Sequence, residues 1–427
     1  MKQDFINLLA CPNSQDDLVL NGTELFTQQT SYPLFNDIPW LFKDPEYYFL
    51  EWGTKIDLFI KEEKDYIKYL QNMINTQTSK LTRQRLSHIH TAKTKNLKYI
   101  TKILHDLQGQ QQIALPHSNQ QIHSYFELIF RDWCGDSPEN KTYYNFVQKQ
   151  ITETTKNVLI LGAGGGRLSY DLAKNNPAIN FLSFDHNPLL FFTANKILKG
   201  EEVKLTQYTS YPKTIDLTVK AHKIKFDKLE HNNHQFILGT FPYLPFKQKS
   251  FDLIIAPWFF DIIDRDFKTS LKYTLNYLKP AGKLAIYGPA NIHAKDIIDQ
   301  LTAQEITEHL ASFCDGIELT TNELTYLQNN MTSQNRLEEI MFLTGTLKNE
   351  INLNQSLPAK KESRLRFTPP FENYKAVNET FYHILKHITD DLTSAELAQI
   401  MIKEFSFKED EAQFYAENFI NKIQSEI

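Results

Sequence analysis

The hydrophobic positions change their period along the chain. Between residues 18 and 42 short apolar runs alternate with turn residues: Leu18-Val19-Leu20, Asn21-Gly22, Glu24-Leu25-Phe26, Ser31-Tyr32-Pro33-Leu34-Phe35, Asn36-Asp37, Ile38-Pro39-Trp40-Leu41-Phe42. That spacing predicts short strands joined by tight turns. From Asp44 to Leu115 apolar residues recur at three- and four-residue steps (Ile56, Phe59, Ile60, Ile67, Leu70, Met73, Ile74), which predicts packing helices. Here His88 and His90 stand among Arg83, Arg85, Lys93 and Lys95 and read as a solvated helix face, since a metal site would need further ligands.

Residues 151 to 290 alternate between the two periods. Strand-like runs (Asn157 to Leu161, Ile179 to Phe184, Phe251 to Ile255, Lys283 to Tyr287) are separated by helix-like ones (Arg167 to Lys174, Pro188 to Leu198, Leu271 to Leu278). This is the signature of an α/β, doubly wound parallel sheet, on which ligands bind outside the carboxyl ends of the strands. Residues 351–370 have the composition of a linker, and three helices are expected after it, around Phe381 to Ile388, after Leu392-Thr393-Ser394, and over Phe414 to Ile423. The chain therefore divides into a β module (1–43), a helical region (44–115), a sheet domain (116–350), a linker (351–370) and a small helical unit (371–427).

Composition narrows the function classes. Of 427 residues 41% are hydrophobic and 23% charged, values of an ordinary folded protein. Lys and Arg number 46 against 51 Asp and Glu, so the net charge of -5 gives no electrostatic reason to expect nucleic acid or an anionic membrane as partner. No apolar run approaches the roughly 18 residues of a membrane span. Cys11, Cys134 and Cys314 are odd in number and widely spaced, which builds neither a disulfide framework nor a four-ligand zinc site and suits a reducing, cytoplasmic setting. Leu8-Leu9-Ala10-Cys11 looks like a lipoprotein processing site, but Asp4 and Asn7 interrupt the short apolar start, and no cleavage is expected.

The candidate chemistry begins after the strand ending at Leu161. Gly162-Ala163-Gly164-Gly165-Gly166-Arg167 lets the backbone turn sharply and approach a ligand, and the following helix start offers free N–H groups. Arg167 would crowd a pyrophosphate, whereas its guanidinium can pair with a carboxylate such as that of a methionine moiety. Asp185, ending the second strand, can accept hydrogen bonds from ribose hydroxyls. NAD and S-adenosylmethionine both satisfy that test.

Gly239-Thr240-Phe241-Pro242-Tyr243-Leu244-Pro245-Phe246, Phe251-Asp252-Leu253-Ile254 and Leu278-Lys279-Pro280-Ala281-Gly282-Lys283-Leu284 separate the two. In this order they resemble class I S-adenosylmethionine-dependent methyltransferases, which implies a seven-stranded Rossmann-like domain with S-adenosylmethionine as cofactor. Thr240 stands where many relatives have an acid that binds the adenine amino group, so the Thr hydroxyl or backbone carbonyls, with Phe241 beside them, would take that part. Further likeness lies in Phe130-Arg131-Asp132-Trp133-Cys134 with Glu139, Tyr143 and Tyr144, in Trp258-Phe259-Phe260-Asp261, and in Tyr287-Gly288-Pro289-Ala290-Asn291-Ile292-His293. This set resembles the carnosine N-methyltransferase family. The resemblance implies that Asp261 contacts an imidazole, that His293 belongs to the substrate pocket, and that Arg131 and Arg167 close over the cofactor; the family's tyrosine before the histidine is Ile292 here. Without the family, Asp261 beyond a buried strand with aromatic neighbours could orient a nucleophile's N–H and so fix the tautomer of an attacking nitrogen.

Two smaller resemblances concern the ends. Leu8-Leu9-Ala10-Cys11-Pro12 and Tyr32-Pro33-Leu34-Phe35-Asn36-Asp37-Ile38-Pro39 resemble the zinc-ribbon-like modules that include the activator subunit of certain tRNA methyltransferases, with Ser14 in place of a paired cysteine and no zinc expected. The last 57 residues or so resemble the PqqD-like fold, whose members bind leader segments of ribosomal peptides. The resulting expectation is a methyltransferase placing a methyl group on a nitrogen of a small molecule or a peptide, with a peptide captured by the C-terminal unit as one reading. The alternative is a methyltransferase-fold peptide-binding or scaffolding protein without turnover.

Overall fold

The computed structural model describes residues 1–111, 113, 122, 125–135, 137–263, 266–292, 300–349 and 393–405, with part of 409–417. The chain forms two compact units, Met1–Leu365 and Arg366–Ile427. The first opens with helix α1 (Gln3–Ile6) and a four-stranded sheet in the order β1 (Val19–Asn21), β2 (Glu24–Phe26), β3 (Ser31–Phe35), β4 (Ile38–Pro39). Leu25, Tyr32 and Leu41 are buried in one core cluster, and Trp40 and Phe42 in another. Cys11 is buried too, its Sγ 3.1 Å from the Tyr32 hydroxyl. Among the described residues no cluster of His, Cys, Asp or Glu could hold a metal.

Two long helices follow. Asp44 caps α2 (Pro45–Thr76) by accepting the N–H of Tyr47, and Ser79 caps α3 (Lys80–Ile103) by accepting that of Thr82. The expected solvated face of α3 is only partly so. Lys93 is buried, and its Nζ lies 2.7 Å from Glu63 Oε1, because burying the apolar stripe around Ala92 and Ile100 carries the neighbouring lysine inward, where only a paired charge is tolerated. His88 and His90 are half-buried.

After α4 (Tyr125–Trp133) and α5 (Pro138–Gln148) comes the central sheet: β5 (Asn157–Leu161), α6 (Arg167–Asn175), β6 (Asn180–Asp185), α7 (Pro188–Leu198), β9 (His234–Leu238), β10 (Phe251–Pro257), α8 (Phe267–Leu275), β11 (Leu278–Gly288), α9 (Ala303–Ala311), β12 (Cys314–Tyr326) and β13 (Arg336–Leu347). A two-stranded ribbon, β7 (Val203–Tyr208) with β8 (Val219–Ile224), interrupts it before β9. The spatial order is β12-β13-β11-β10-β5-β6-β9, with β13 antiparallel to both neighbours and the strands from β11 to β9 parallel. This is the doubly wound, Rossmann-like class I methyltransferase sheet. The strand order reverses at β5, so the crevice at its carboxyl end, where the glycine loop begins, is the binding position.

The remaining expectations met different fates. The helix expected over Leu271 to Leu278 runs instead from Phe267 to Leu275, because the Asp266 carboxylate caps the N–H groups of Lys268 and Thr269, and Leu278 opens β11. In the second unit α10 (Ser394–Phe405) has a reciprocal Thr393–Glu396 cap and buries Leu397, Ala398 and Met401 against Ala412 and Ala416. The linker, the helix around Phe381 and most of the helix from Phe414 to Ile423 lie outside the described residues. No helix among the described residues is long and apolar enough to cross a membrane.

Candidate active site

A cavity of about 590 Å³ opens at the carboxyl ends of β5, β6 and β10. Its floor is the glycine loop. Gly162 and Ala163 donate their N–H groups to Phe184 O at 2.9 and 3.1 Å, which fastens the loop to β6. Gly164 takes φ +56°, a left-handed conformation that a side chain disfavours, and donates to Asp185 Oδ2 at 3.0 Å. The other Asp185 oxygen accepts from the backbone of His186 (2.7 Å) and Asn187 (3.1 Å). A carboxylate held by three N–H groups is fixed in place, and Asp185 lines the cavity with acceptor capacity to spare.

The Arg131-Asp132-Trp133 segment of α4 wraps the same loop from outside. Trp133 Nε1 donates to Gly165 O at 2.7 Å, and a Cβ on Gly165 would meet Asp132 Oδ2 at 2.4 Å. Glycine is therefore needed at 165 for space rather than for its backbone angle. Arg131 Nε donates to Asp132 Oδ1 at 2.7 Å, and the Arg131 side chain, 13% exposed, lines the cavity above Gly164. Burial pulls the guanidinium toward neutrality, but Asp132 and Glu139 beside it outweigh burial and raise its pKa.

Gly239, Thr240, Phe241, Pro242 and Tyr243 form one wall, and Tyr48, Tyr125 and His186 contribute on the α2 and β6 side. Beyond β10 the cavity ends in aromatic residues and Asp261. Trp258 holds φ +46°, donates its N–H to Tyr287 O at 2.7 Å and its Nε1–H to the Tyr143 hydroxyl at 3.2 Å. Its ring lies 4.4 Å from that of Tyr326, and Tyr143 stacks on Tyr287 at 4.3 Å. Burial pushes the Tyr326 phenol pKa up, with Arg131 opposing that shift and Asp261 adding to it, and all three residues line the cavity.

Of the residues expected from sequence, the cavity brings together Arg131, Gly162, Ala163, Gly164, Asp185, Thr240, Phe241 and Asp261. Two expected cofactor contacts do not line it. Arg167 points away: its Nε pairs with Asp171 at 2.8 Å one helical turn on, its Nη1 donates to Asp132 O, and its guanidinium lies over the Phe226 ring. Gly166 precedes α6 where a Cβ would meet Ala194 and Phe236 at 3.1 Å, so it serves helix–sheet packing. His293 lies outside the described residues, and Ile292 is buried behind Asp261 against Phe260 and Ile306. The sequence analysis assigns no role to Asp132, Gly165 or Tyr326, although the order Arg-Asp-Trp holds a signal for the first.

The residues present fit S-adenosylmethionine. Asp185 suits ribose hydroxyls, the glycine loop permits close approach, and Arg131 offers a guanidinium to a carboxylate. The sequence profile of the carnosine N-methyltransferase family matches residues 108–357, more than half of the 427. The chain belongs to the carnosine N-methyltransferase family. It is accordingly an S-adenosylmethionine-dependent methyltransferase.

Solved structures similar to this family member include a putative methyltransferase from Bacillus halodurans, at 9% identity over 48% of this chain and 97% of that one with TM-score 0.33. N-methyltransferase NodS from Bradyrhizobium japonicum, in complex with S-adenosyl-L-homocysteine, shares 12% identity over 52% and 98% with TM-score 0.32. Phosphoethanolamine N-methyltransferase 2 from Haemonchus contortus, in complex with S-adenosyl-L-methionine, shares 13% over 53% and 56% with TM-score 0.35. A search of the curated proteins returns no match.

Proposed function

We propose that the enzyme transfers a methyl group to a ring nitrogen of an imidazole carried by a small molecule or a peptide. The observation that supports this reading most is that Asp261 lines the same cavity as Asp185 and the glycine loop, at its aromatic end. Asp185 would hold the ribose and Arg131 the carboxylate of the donor, with Thr240 and Phe241 along the adenine side. Bound there, S-adenosylmethionine supplies a methyl group whose bond to sulfur breaks as the nitrogen lone pair forms the new C–N bond. Asp261 would accept the N–H of the opposite ring nitrogen, which leaves the attacking nitrogen with its lone pair free and fixes its direction. Trp258 and Tyr326 offer flat faces to a planar ring. His293 is assigned to the acceptor pocket on the family resemblance.

The test is transfer of isotopically labelled methyl from S-adenosylmethionine to histidine-containing dipeptides, to free imidazoles and to primary amines. Methylation of the imidazole class, falling at least a hundredfold in Asp261→Asn with donor binding retained, is the expected result. Methylation of amines alone, or an unchanged rate in Asp261→Asn, removes Asp261 from this role. For the termini, the zinc-ribbon-like reading of residues 1–43 and the PqqD-like reading of 371–427 stand on sequence resemblance. Deleting residues 351–427 should lower turnover of peptides and spare small molecules if that unit captures peptide. A reducing, cytoplasmic setting goes with three unpaired cysteines.

A further inference from the structure

Tyr48 lines the cavity, yet it stands well before residues 108–357, the segment that matches the family. Family membership therefore assigns it nothing. Its place is set by the start of α2: Tyr48 N donates to Asp44 O at 3.1 Å, and its ring stacks on that of Phe42 with centroids 4.5 Å apart and 23° between the planes. Phe42 is fully buried and lies 4.6 Å from the Trp40 ring, whose Nε1–H donates to Pro45 O at 3.0 Å. These contacts hold the first turn of α2 against the β module. A ring fixed in this way before a ligand arrives loses little freedom on binding. One helical turn further on, the Trp52 ring comes within 6.2 Å of the His186 ring, and His186 Nδ1 is 3.4 Å from Asp185 Oδ1. Residues four apart share a helix face, so the face of α2 that carries Tyr48 lies against the Asp185 end of the cavity and not the Asp261 end.

We propose that Tyr48 binds the adenosine of the methyl donor, packing its ring on the nucleoside whose ribose Asp185 holds. The proposal rests on the reading of the cavity as the donor site with Asp185 at the ribose. Tyr48 is half-buried, and a flat aromatic surface beside a hydrogen-bond acceptor for hydroxyls suits a purine nucleoside, because stacking removes apolar area from water without regard to the charge on sulfur. S-adenosylmethionine and S-adenosylhomocysteine carry the same adenosine and gain equally from such a contact. The donor site of this chain is then completed by a helix that lies outside its family-matching segment.

The experiment measures binding of three ligands to the full-length protein: S-adenosylmethionine and S-adenosylhomocysteine by calorimetry, and 5′-methylthioadenosine, which keeps the adenosine and lacks the amino acid, by displacement of labelled S-adenosylhomocysteine. Tyr48→Ala should weaken all three by the same factor, about five- to tenfold. Tyr48→Phe keeps the ring and should stay within about twofold of the wild type. Tyr48→Leu fills the space under Phe42 without a flat face, so it keeps the test open where the alanine variant folds poorly, and it too should weaken all three. A loss confined to the two ligands that carry the amino acid would move Tyr48 to the other end of the donor and overturn the proposal. So would a lowered melting temperature with unchanged affinities, the mark of a purely structural contact. Failure of the wild type to bind any of the three would instead sink the reading of the cavity, an outcome separate from both.

Discussion

The Trp133 indole N–H donates to the carbonyl of Gly165 at 2.7 Å, tying α4 to the middle of the glycine loop. The adjacent Asp132 carboxylate fills the notch that the missing Gly165 side chain leaves, and Arg131 is held by that carboxylate. One residue's lack of a side chain thereby sets the position of a cavity-lining cation.

Gly165→Ala should test that chain of contacts. Its new methyl must displace Asp132, and with it Arg131, so donor affinity measured by calorimetry should fall at least about tenfold. Trp133→Phe removes one hydrogen bond and should cost about 1 kcal/mol in urea unfolding. If Gly165→Ala binds the donor as the wild type does, Arg131 is not positioned through Asp132.

Asp185 should tolerate amidation better than truncation. Asp185→Ala removes an acceptor for three backbone N–H groups and, on the reading proposed above, for the ribose, and a loss of about 10- to 100-fold in donor affinity is expected. Asp185→Asn keeps one carbonyl oxygen for the loop and should fall between the two. Equal affinities in all three proteins would remove Asp185 from the site.

These relationships differ in how far sequence could show them. Helix α7 has the bounds its pattern predicts, Pro188 to Leu198, because its start is locally encoded: Asn187 caps the N–H of Leu190 and proline takes the first turn. The glycine loop and Asp185 were legible for the same reason, each sitting at the end of a buried strand. Arg167 was read as a cofactor contact because its place in the loop is suggestive, yet Asp171, four residues on, competes for it across one helical turn. The Glu139–Gln328 contact joins positions 189 residues apart, and no local pattern announces such a pair. Lys93 departs from the expected solvated face for a similar reason, since its partner Glu63 lies on another helix.

That buried pair should be a large local contributor to stability. The Lys93 and Glu63 side chains are 10% and 14% exposed, so Lys93→Met leaves a nearly buried carboxylate without its partner and should cost about 3 kcal/mol in urea unfolding. Lys93→Met with Glu63→Gln should recover much of it. Burial lowers the Lys93 pKa, but Tyr208 and Glu63 outweigh it and the net shift is upward. A raised folded-state pKa stabilises below the ordinary lysine value and loses that contribution as pH rises through the folded value. The wild type should therefore lose stability faster than the double variant on the alkaline side, and parallel pH curves would contradict this.

The N-terminal module reaches the cavity wall formed by residues 239 to 243. Leu41 N donates to Leu238 O at 2.7 Å, Ala10 N to Pro245 O at 3.0 Å and Lys247 N to Leu8 O at 2.9 Å, so the module grips the chain on both sides of the segment from Gly239 to Tyr243. Between these anchors Lys43 Nζ donates to the Tyr243 hydroxyl at 2.7 Å and lies over the same ring. Because that segment lines the cavity, the contact is a lever on ligand binding more than on folding. Lys43→Met should weaken S-adenosylmethionine binding about two- to fivefold while shifting the melting temperature little, and Tyr243→Phe should do the same. If both act through one bond, the double variant binds no more weakly than either single one; additive losses would mean that Lys43 and Tyr243 act on the donor independently.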